Sequence, residues 1–324
     1  MEKIRSIAHL LPAKAYVSAL LLAVLVLPLV AGNYWTQVFG DIGIYIMLGI
    51  GLNVVVGFAG LLDLGYVAFF AIGSYSYALL ASPQFGIHIP FWLMLPGCVA
   101  VAAVGGALLG IPVLRMRGDY LAIVTLGFGQ IVRIVLNNLD SVTNGPRGIL
   151  RIDPPMLGNF TVNTPAKWYY LIMVGIIIAA FVADRLNNSR IGRAWIAMRE
   201  DQDAAAAMGI NILKFKLLAF VIGASFAGIG GAIFAARQGS IFPENFSLMV
   251  SINVLCLIII GGMGSIPGVI IGAIVLIGLP EVLRGAQQYR MLIFGGLLVV
   301  TMIFRPTGLI PSVRRKMEFE KPPP

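Results

Sequence analysis

The sequence predicts an all-α polytopic membrane protein of about ten transmembrane helices, from three observations: scarce charge, long apolar runs, and basic residues gathered where those runs end. Of 324 residues, 59% are hydrophobic and 11% charged, with a mean hydropathy of +0.92. A soluble domain carries about 25% charged residues to face water. Apolar runs of ~20 residues have the length a helix needs to cross the hydrocarbon core. The 38 glycines suit such helices, because small residues let neighbouring backbones approach closely. The formal charge of +9 is assigned to anionic lipid and bilayer orientation, not to nucleic acid, because the basic residues lie at helix ends.

The apolar segments fall in order at 16–31, 40–62, 66–82, 90–114, 120–138, 168–184, 212–236, 247–262, 266–283 and 288–304. The first follows Lys3, Arg5 and Lys14 and is read as an uncleaved helix, not a signal sequence. Within 40–82, Gly57, Gly60, Asp63 and Gly65 mark either a tight turn or a helix broken inside the membrane. The segment 139–167, with "TNGPRGI" at 143–149, reads as an external loop with its own local structure. Segment 185–211 is the charged cytoplasmic loop. Its Pro- and Gly-free run from Arg193 to Met208 predicts a short amphipathic helix, with Trp195, Ile196 and Met198 set against Arg199, Glu200 and Asp201.

An even number of spans places both termini on one side. Sixteen of the 23 Lys and Arg residues fall in the N-terminus, 115–119, 184–216 and the tail from Arg305. Basic residues are retained on the cytoplasmic side during insertion, so both termini are expected there. A weak echo links "GFAGLLDLGYVAFFAIG" (57–73) with "GGMGSIPGVIIG" (261–272). An inverted repeat of spans two to five and seven to ten, and chance similarity of Gly-rich helices, both account for it.

Catalytic chemistry finds no foothold. There are two histidines, His9 and His88, and two cysteines, Cys98 and Cys256, without metal-ligand spacing, so no catalytic or metal site is expected and the cysteines are read as packing residues. No GxxxxGK[ST] phosphate loop is present, so any energy from ATP must arrive through another subunit. Helix packing is expected along Gly264, Gly268 and Gly272, along Gly106 and Gly110, and through the small-residue run 223–235. Polar residues within spans are the pathway candidates, because each is costly in lipid. Gln130, Arg133 and Asn137 share one helix face by their spacing of three and four. Arg133 either faces a wet cavity or snorkels to the interface from the helix end. Asn53 and Asp63 are further candidates, with structural hydrogen bonding the alternative for each. A proton- or sodium-driven carrier would carry acidic residues in its spans, where Asp63 and Glu281 are the weak candidates. A membrane enzyme would need a polar catalytic cluster.

Several blocks together resemble a known family. "LRMRGDYLAIVTLGFGQIVRIVLNN" (114–138), "TNGPRGI" (143–149), "IGRAWIAMREDQDAAAAMGI" (191–210), "IIIGGMGSIPGVIIGA" (258–273) and "MLIFGGLLVVTMIFRPTGLIP" (291–311) look like the LivM-type permeases of branched-chain amino acid ABC importers. The resemblance implies an ABC importer permease fold, similar to that of larger importers such as the vitamin B12 permease, in the bacterial inner (plasma) membrane. It also implies a second homologous permease subunit, two cytoplasmic P-loop ATPase subunits that bind the ATP, and a periplasmic or extracellular substrate-binding protein. No cofactor of its own is implied. The "EDQDAAAAMG" stretch is similar to the coupling motif of such permeases. That similarity implies contact with an ATPase through Arg193, Arg199, Glu200, Asp201, Asp203, Ala205, Ala206 and Gly209, although the usual acidic-Ala-Ala triplet is spread out here. The implied cargo is leucine, isoleucine and valine, moved by alternating access, with urea, short amides or other amino acids as the within-family alternative.

Overall fold

A computed structural model describes residues 25–311, apart from 114–115, 117, 158–159, 283–288, 290–291, 293–294, 297–298, 301–302 and 306–307. The expected spans at 16–31 and 288–304 therefore lie largely outside the described residues. The other eight expected segments are all helical. They are α1 (Gly32–Leu52, prolonged by a π-helical turn Asn53–Phe58), α2 (Val67–Leu80), α3 (Phe91–Val113), α4 (Asp119–Asn138), α5 (Pro165–Asn187), α8 (Ile212–Gln238), α9 (Leu248–Gly261) and α10 (Ile266–Ala273, continuing to Val282). Between α5 and α8 lie two short helices, α6 (Arg190–Glu200) and α7 (Gln202–Ala207).

Three boundaries differ from the sequence reading, each for a local reason. α1 starts at Gly32 rather than at residue 40, because Gly32 takes φ +71 and breaks cleanly from the helical residues 25–30. α2 has 14 residues, or about 21 Å at 1.5 Å per residue, which is short of the ~30 Å hydrocarbon core. α9 and α10 are not two straight crossings but a pair bent by 120° at the glycine-rich break after Gly261. Five described helices are long and apolar enough to cross a membrane singly, and six spans result if the bent pair is one.

α1 is the centre of the bundle, and small residues let it be crowded. A Cβ on Gly43 would meet Ile172 of α5 at 2.5 Å, on Gly49 would meet Val269 of α10 at 2.7 Å, and on Gly51 would meet Phe226 of α8 at 2.5 Å. α8 in turn packs along α2 and α3, where a Cβ on Gly228 would meet Ala102 at 2.6 Å and a Cβ on Gly106 would meet Ala224 at 2.7 Å. These approaches bring backbones within van der Waals range and replace the missing hydrophobic drive between helices in lipid. The outward faces of α3, α4 and α5 expose large apolar side chains, among them Leu93, Leu108, Ile123, Ile134, Ile178 and Phe181. A protein that ends in such a surface is matched to hydrocarbon, not to water. Cys98 and Cys256 are free and buried.

The segment 139–167 is ordered locally. It contains a one-turn helix Asp140–Thr143, strand β1 (Ile149–Leu150) and a hairpin of β2 (Met156–Leu157) with β3 (Phe160–Thr161). β1 pairs antiparallel with β4 (Ser240–Ile241), Ile149 opposite Ile241, so the loop is fastened to the C-terminal end of α8. The α6–α7 segment sits at the opposite end of α8, directly before its first residue.

Replacing Gly272 by Ala puts a Cβ 2.1 Å from the Leu257 carbonyl oxygen and is expected to cost about 1–3 kcal/mol by overpacking. Gly127→Ala in α4 meets nothing within 4 Å and is expected to be neutral or to gain ~0.5–1 kcal/mol from helix propensity. Thermal unfolding of the two variants in detergent, beside wild type, checks the contrast.

Candidate functional site

Two helix breaks meet where the end of α1 lies against α9 and α10. The first follows the π-helical turn Asn53–Phe58 and runs through Gly60, at φ +69, to Tyr66. The second lies between α9 and α10, where Gly262 and Gly264 take φ +121 and +83. A break leaves peptide groups without helical partners, and in an apolar interior each must be satisfied by protein. Side chains from distant parts of the chain do so. Asn53 Oδ1 accepts from Gly264 N at 2.8 Å, joining the two breaks directly. Leu64 N donates to Thr125 Oγ1 of α4 at 3.0 Å, and Val67 N donates to Ser251 Oγ of α9 at 2.9 Å. Asp63 is fully buried and accepts from Gly65 N at 2.9 Å, so the carboxylate closes its own turn. The Nδ2 of Asn53, also buried, has no acceptor among the described residues.

The α6–α7 segment is wired to the first break. Ser189 caps α6 by accepting from Ile191 N and Gly192 N, and Asp201 caps α7 by accepting from Asp203 N at 2.8 Å and Ala204 N at 2.9 Å. The single helix expected from Arg193 to Met208 is therefore two, because Asp201 turns to an extended conformation and serves as the second cap. Trp195 is fully buried and its Nε1 donates to Phe215 O at 2.9 Å, which anchors α6 on the start of α8. Arg199 reaches back across 142 residues and donates through Nη1 to Gly57 O at 2.6 Å, with its stem laid over Gly60. Lys216, in the same basic cluster, is buried and donates to Met116 O, so it fastens the α3–α4 connection.

The expected ATPase-contact residues thus divide. Arg193, Glu200, Asp201, Asp203, Ala206 and Gly209 are exposed. Ala205 is buried against this chain and Arg199 is turned inward. α7 ends in a Schellman arrangement: Ile210 N donates to Ala205 O, Gly209 N donates to Ala206 O, and Gly209 has φ +86. The result is a projecting apex of small residues with Met208 84% exposed.

The pathway candidates are not brought together. Asn53 is buried at the meeting of the breaks, whereas Gln130, Arg133 and Asn137 lie on α4, half-buried or exposed, on the helix's way to the 139–167 loop. Arg133 has no ion-pair partner among the described residues. It lies five residues before the end of α4, about 7.5 Å along the axis. Of the packing glycines, Gly268 and Gly272 press on α9, where a Cβ would meet Gly261 O at 2.6 Å and Leu257 O at 2.1 Å. Gly264 instead belongs to the break and donates to Asn53.

Sequence reasoning missed two pairings. One is Arg199 with Gly57. The other is Arg237, in the last turn of α8, which forms an ion pair with Asp41 of α1 at 2.7 Å. Asp41 lies inside a span as much as Asp63 does. Separations of 142 and 196 residues leave no local pattern to find.

Membrane-length helices, an apolar outer surface, paired breaks and a projecting charged segment define a multi-pass membrane permease. The family model described as "Branched-chain amino acid transport system / permease component" matches residues 34–302, and the chain belongs to that family. It is 42% identical to the high-affinity branched-chain amino acid transport system permease protein LivM of Escherichia coli (strain K12), over 95% of this chain and 77% of that protein. It is also 27% identical to the permease protein LivH of the same organism, over 82% of this chain and 91% of that one. A probable LivM of Methanocaldococcus jannaschii is 24% identical over 82% of this chain and 85% of its own length. No solved structure matches.

Asn53→Ala removes the acceptor for a buried N–H and is expected to cost about 1–3 kcal/mol. The Gly264 amide should then exchange its hydrogen faster, read by hydrogen–deuterium exchange of the peptide that contains it.

Proposed function

We propose that this chain is one of two homologous permease subunits of an ATP-driven ABC importer, and that the importer carries leucine, isoleucine and valine into the cytoplasm by alternating access. The observation that carries this reading is the connection from an exposed apex to the helix breaks. The α7 apex around Ala206, Met208 and Gly209 continues into α6, α6 holds Gly57 through Arg199, and the same turn holds Gly264 through Asn53. A push on the apex is therefore delivered to both breaks, the places where a helix bends at least cost.

In this reading two cytoplasmic P-loop ATPases bind and hydrolyse the ATP, and each permease seats its α6–α7 segment on one of them. This chain needs no cofactor and performs no chemistry. Arg193, Glu200 and Asp203 make the polar rim of that contact, and the alanines leave room for a groove. Arg199 is a positioning residue behind the contact. The polar face of α4, with Gln130, Arg133 and Asn137, turns toward the second permease, since an unpaired Arg and two amides are too costly to leave against lipid. A periplasmic or extracellular binding protein docks at the 139–167 end and supplies most of the selectivity. The basic residues of the α5–α8 connection favour its placement in the cytoplasm of a bacterial plasma membrane, with both termini on the same side. The family description and the LivM and LivH relatives support branched-chain amino acids over urea or short amides as the cargo.

In proteoliposomes holding the complete importer, wild type is expected to take up leucine only with ATP and binding protein. Arg199→Ala should lower leucine transported per ATP hydrolysed roughly 5-fold or more, the lower end of ordinary coupling free energies. Uptake without ATP, driven by an ion gradient, would replace this reading with a secondary carrier. Sidedness is tested by single cysteines at two exposed positions. An impermeant maleimide on intact cells should label Asn163→Cys but reach Lys214→Cys only after permeabilisation.

A further inference from the structure

At the 139–167 end of the bundle, α1, α2, α8 and the start of α9 enclose a cavity of about 210 Å³ that none of the pathway expectations includes. Its walls are of two kinds. Phe70, Phe234 and Val250 make an apolar side, completed by Ile44, Leu48 and the ring of Tyr45 from α1. Asp41, Gln238 and Asn245 make a polar side near the mouth. The polar side is held in place from behind. Arg237 donates to Asp41 Oδ1 at 2.7 Å and to Gln37 O at 2.8 Å. Its guanidinium lies so close to α1 that a Cβ on Gly40 would sit 3.0 Å from the central carbon. Asn245 Oδ1 accepts from Phe242 N at 2.8 Å, which fixes the amide and leaves its NH₂ as the group that can donate. Glu281 lies within electrostatic reach of Asp41 and adds negative potential at the same place.

Size and chemistry narrow the occupant. Drug-sized sites run to about 300–1,000 Å³, and a water molecule takes ~30 Å³ of liquid, so this cavity suits a molecule of about ten heavy atoms. Asp41 is half exposed, so the carboxylate that Arg237 holds through Oδ1 is open to a cation from the cavity side. The Arg237 partner keeps that carboxylate compensated when the cavity is empty. The apolar side rewards an aliphatic or small aromatic group. We propose that this cavity is a transit subsite for a free α-amino acid with an aliphatic side chain. The ammonium sits on Asp41, the carboxylate on the amide N–H groups of Gln238 and Asn245, and the side chain between Phe70, Phe234 and Val250. This deepens the importer reading above and rests on it. It also gives this chain its own reason to reject urea, which offers neither a cation nor an apolar group. Binding here is weak, because a transit site must release what it admits.

The test uses the whole importer in nanodiscs with Val250→Cys as a reporter in the cavity wall. The two native cysteines of this chain are buried, and labelling is scored by mass spectrometry on the peptide of this chain that carries position 250. About 10 mM leucine, a concentration chosen for millimolar affinity, should slow labelling at least roughly threefold. Urea and 4-methylpentanoate, which is leucine without its ammonium, should leave the rate unchanged. Adding Asp41→Asn should abolish the protection by leucine. Adding Phe234→Trp, which fills the apolar half and keeps the ion pair, should abolish it too. Either second variant suffices if the other does not assemble. Equal labelling with and without leucine, or equal protection by 4-methylpentanoate, overturns the subsite. ATP-driven leucine uptake by the same complex is scored separately. Uptake without protection removes the subsite and leaves the importer. Protection without ATP-driven uptake removes the importer reading and leaves an amino-acid site to be reassigned.

Discussion

Breaking a helix among apolar neighbours frees peptide groups from their helical partners, and the bundle is arranged around the side chains that satisfy them. Asn53 takes the Gly264 amide, Thr125 the Leu64 amide, Ser251 the Val67 amide, and Arg199 the Gly57 carbonyl. These groups come from α1, α4, α9 and α6, so satisfying two breaks ties four elements into one arrangement. An unsatisfied group would cost several kcal/mol in hydrocarbon. The breaks are therefore tolerated only because the rest of the fold supplies partners, and a movement of any one supplier is felt at the break.

That constraint explains why glycine is so dense near the centre. For Asn53 to reach Gly264, α1 must lie against the α9–α10 vertex with almost nothing between them. A Cβ on Gly57 would stand 2.7 Å from Gly264 N, and a Cβ on Gly65 would stand 2.0 Å from Thr125 O. Bare backbone at these points turns a hydrogen-bonding requirement into close helix packing. The same closeness leaves little room for movement at these crossings, so the breaks are where the proposed change of access would bend the helices.

The two ends of α8 serve different partners. Its start is clamped by Trp195 and Lys216, beside the α6–α7 apex, and its finish carries Arg237 to Asp41 and then pairs β4 with β1. One long helix thus runs between the segment proposed to contact an ATPase and the cavity proposed to hold an amino acid. Force applied at one end has a rigid element to travel along, and the neighbouring breaks supply the give.

Composition and periodicity determined much of this protein. Hydropathy alone placed seven of the eight described segments within a few residues, and α1 less closely, because lipid demands long apolar runs whatever the tertiary fold. The five blocks at 114–138, 143–149, 191–210, 258–273 and 291–311 together were enough to recognise the family. The polar stripe of Gln130, Arg133 and Asn137 was legible from helical spacing. Only the tertiary structure decided that 248–282 is a bent pair, that Asp201 divides the amphipathic run, and that Ala205 and Arg199 face inward. It alone set Asp41 beside Arg237 and Asn53 beside Gly264, across 196 and 211 residues. The physical reason is that hydropathy reports the preference of a segment for lipid, a local quantity. A hydrogen bond or an ion pair depends on which distant backbone happens to lie within 3 Å or so, and that is settled only when helices pack.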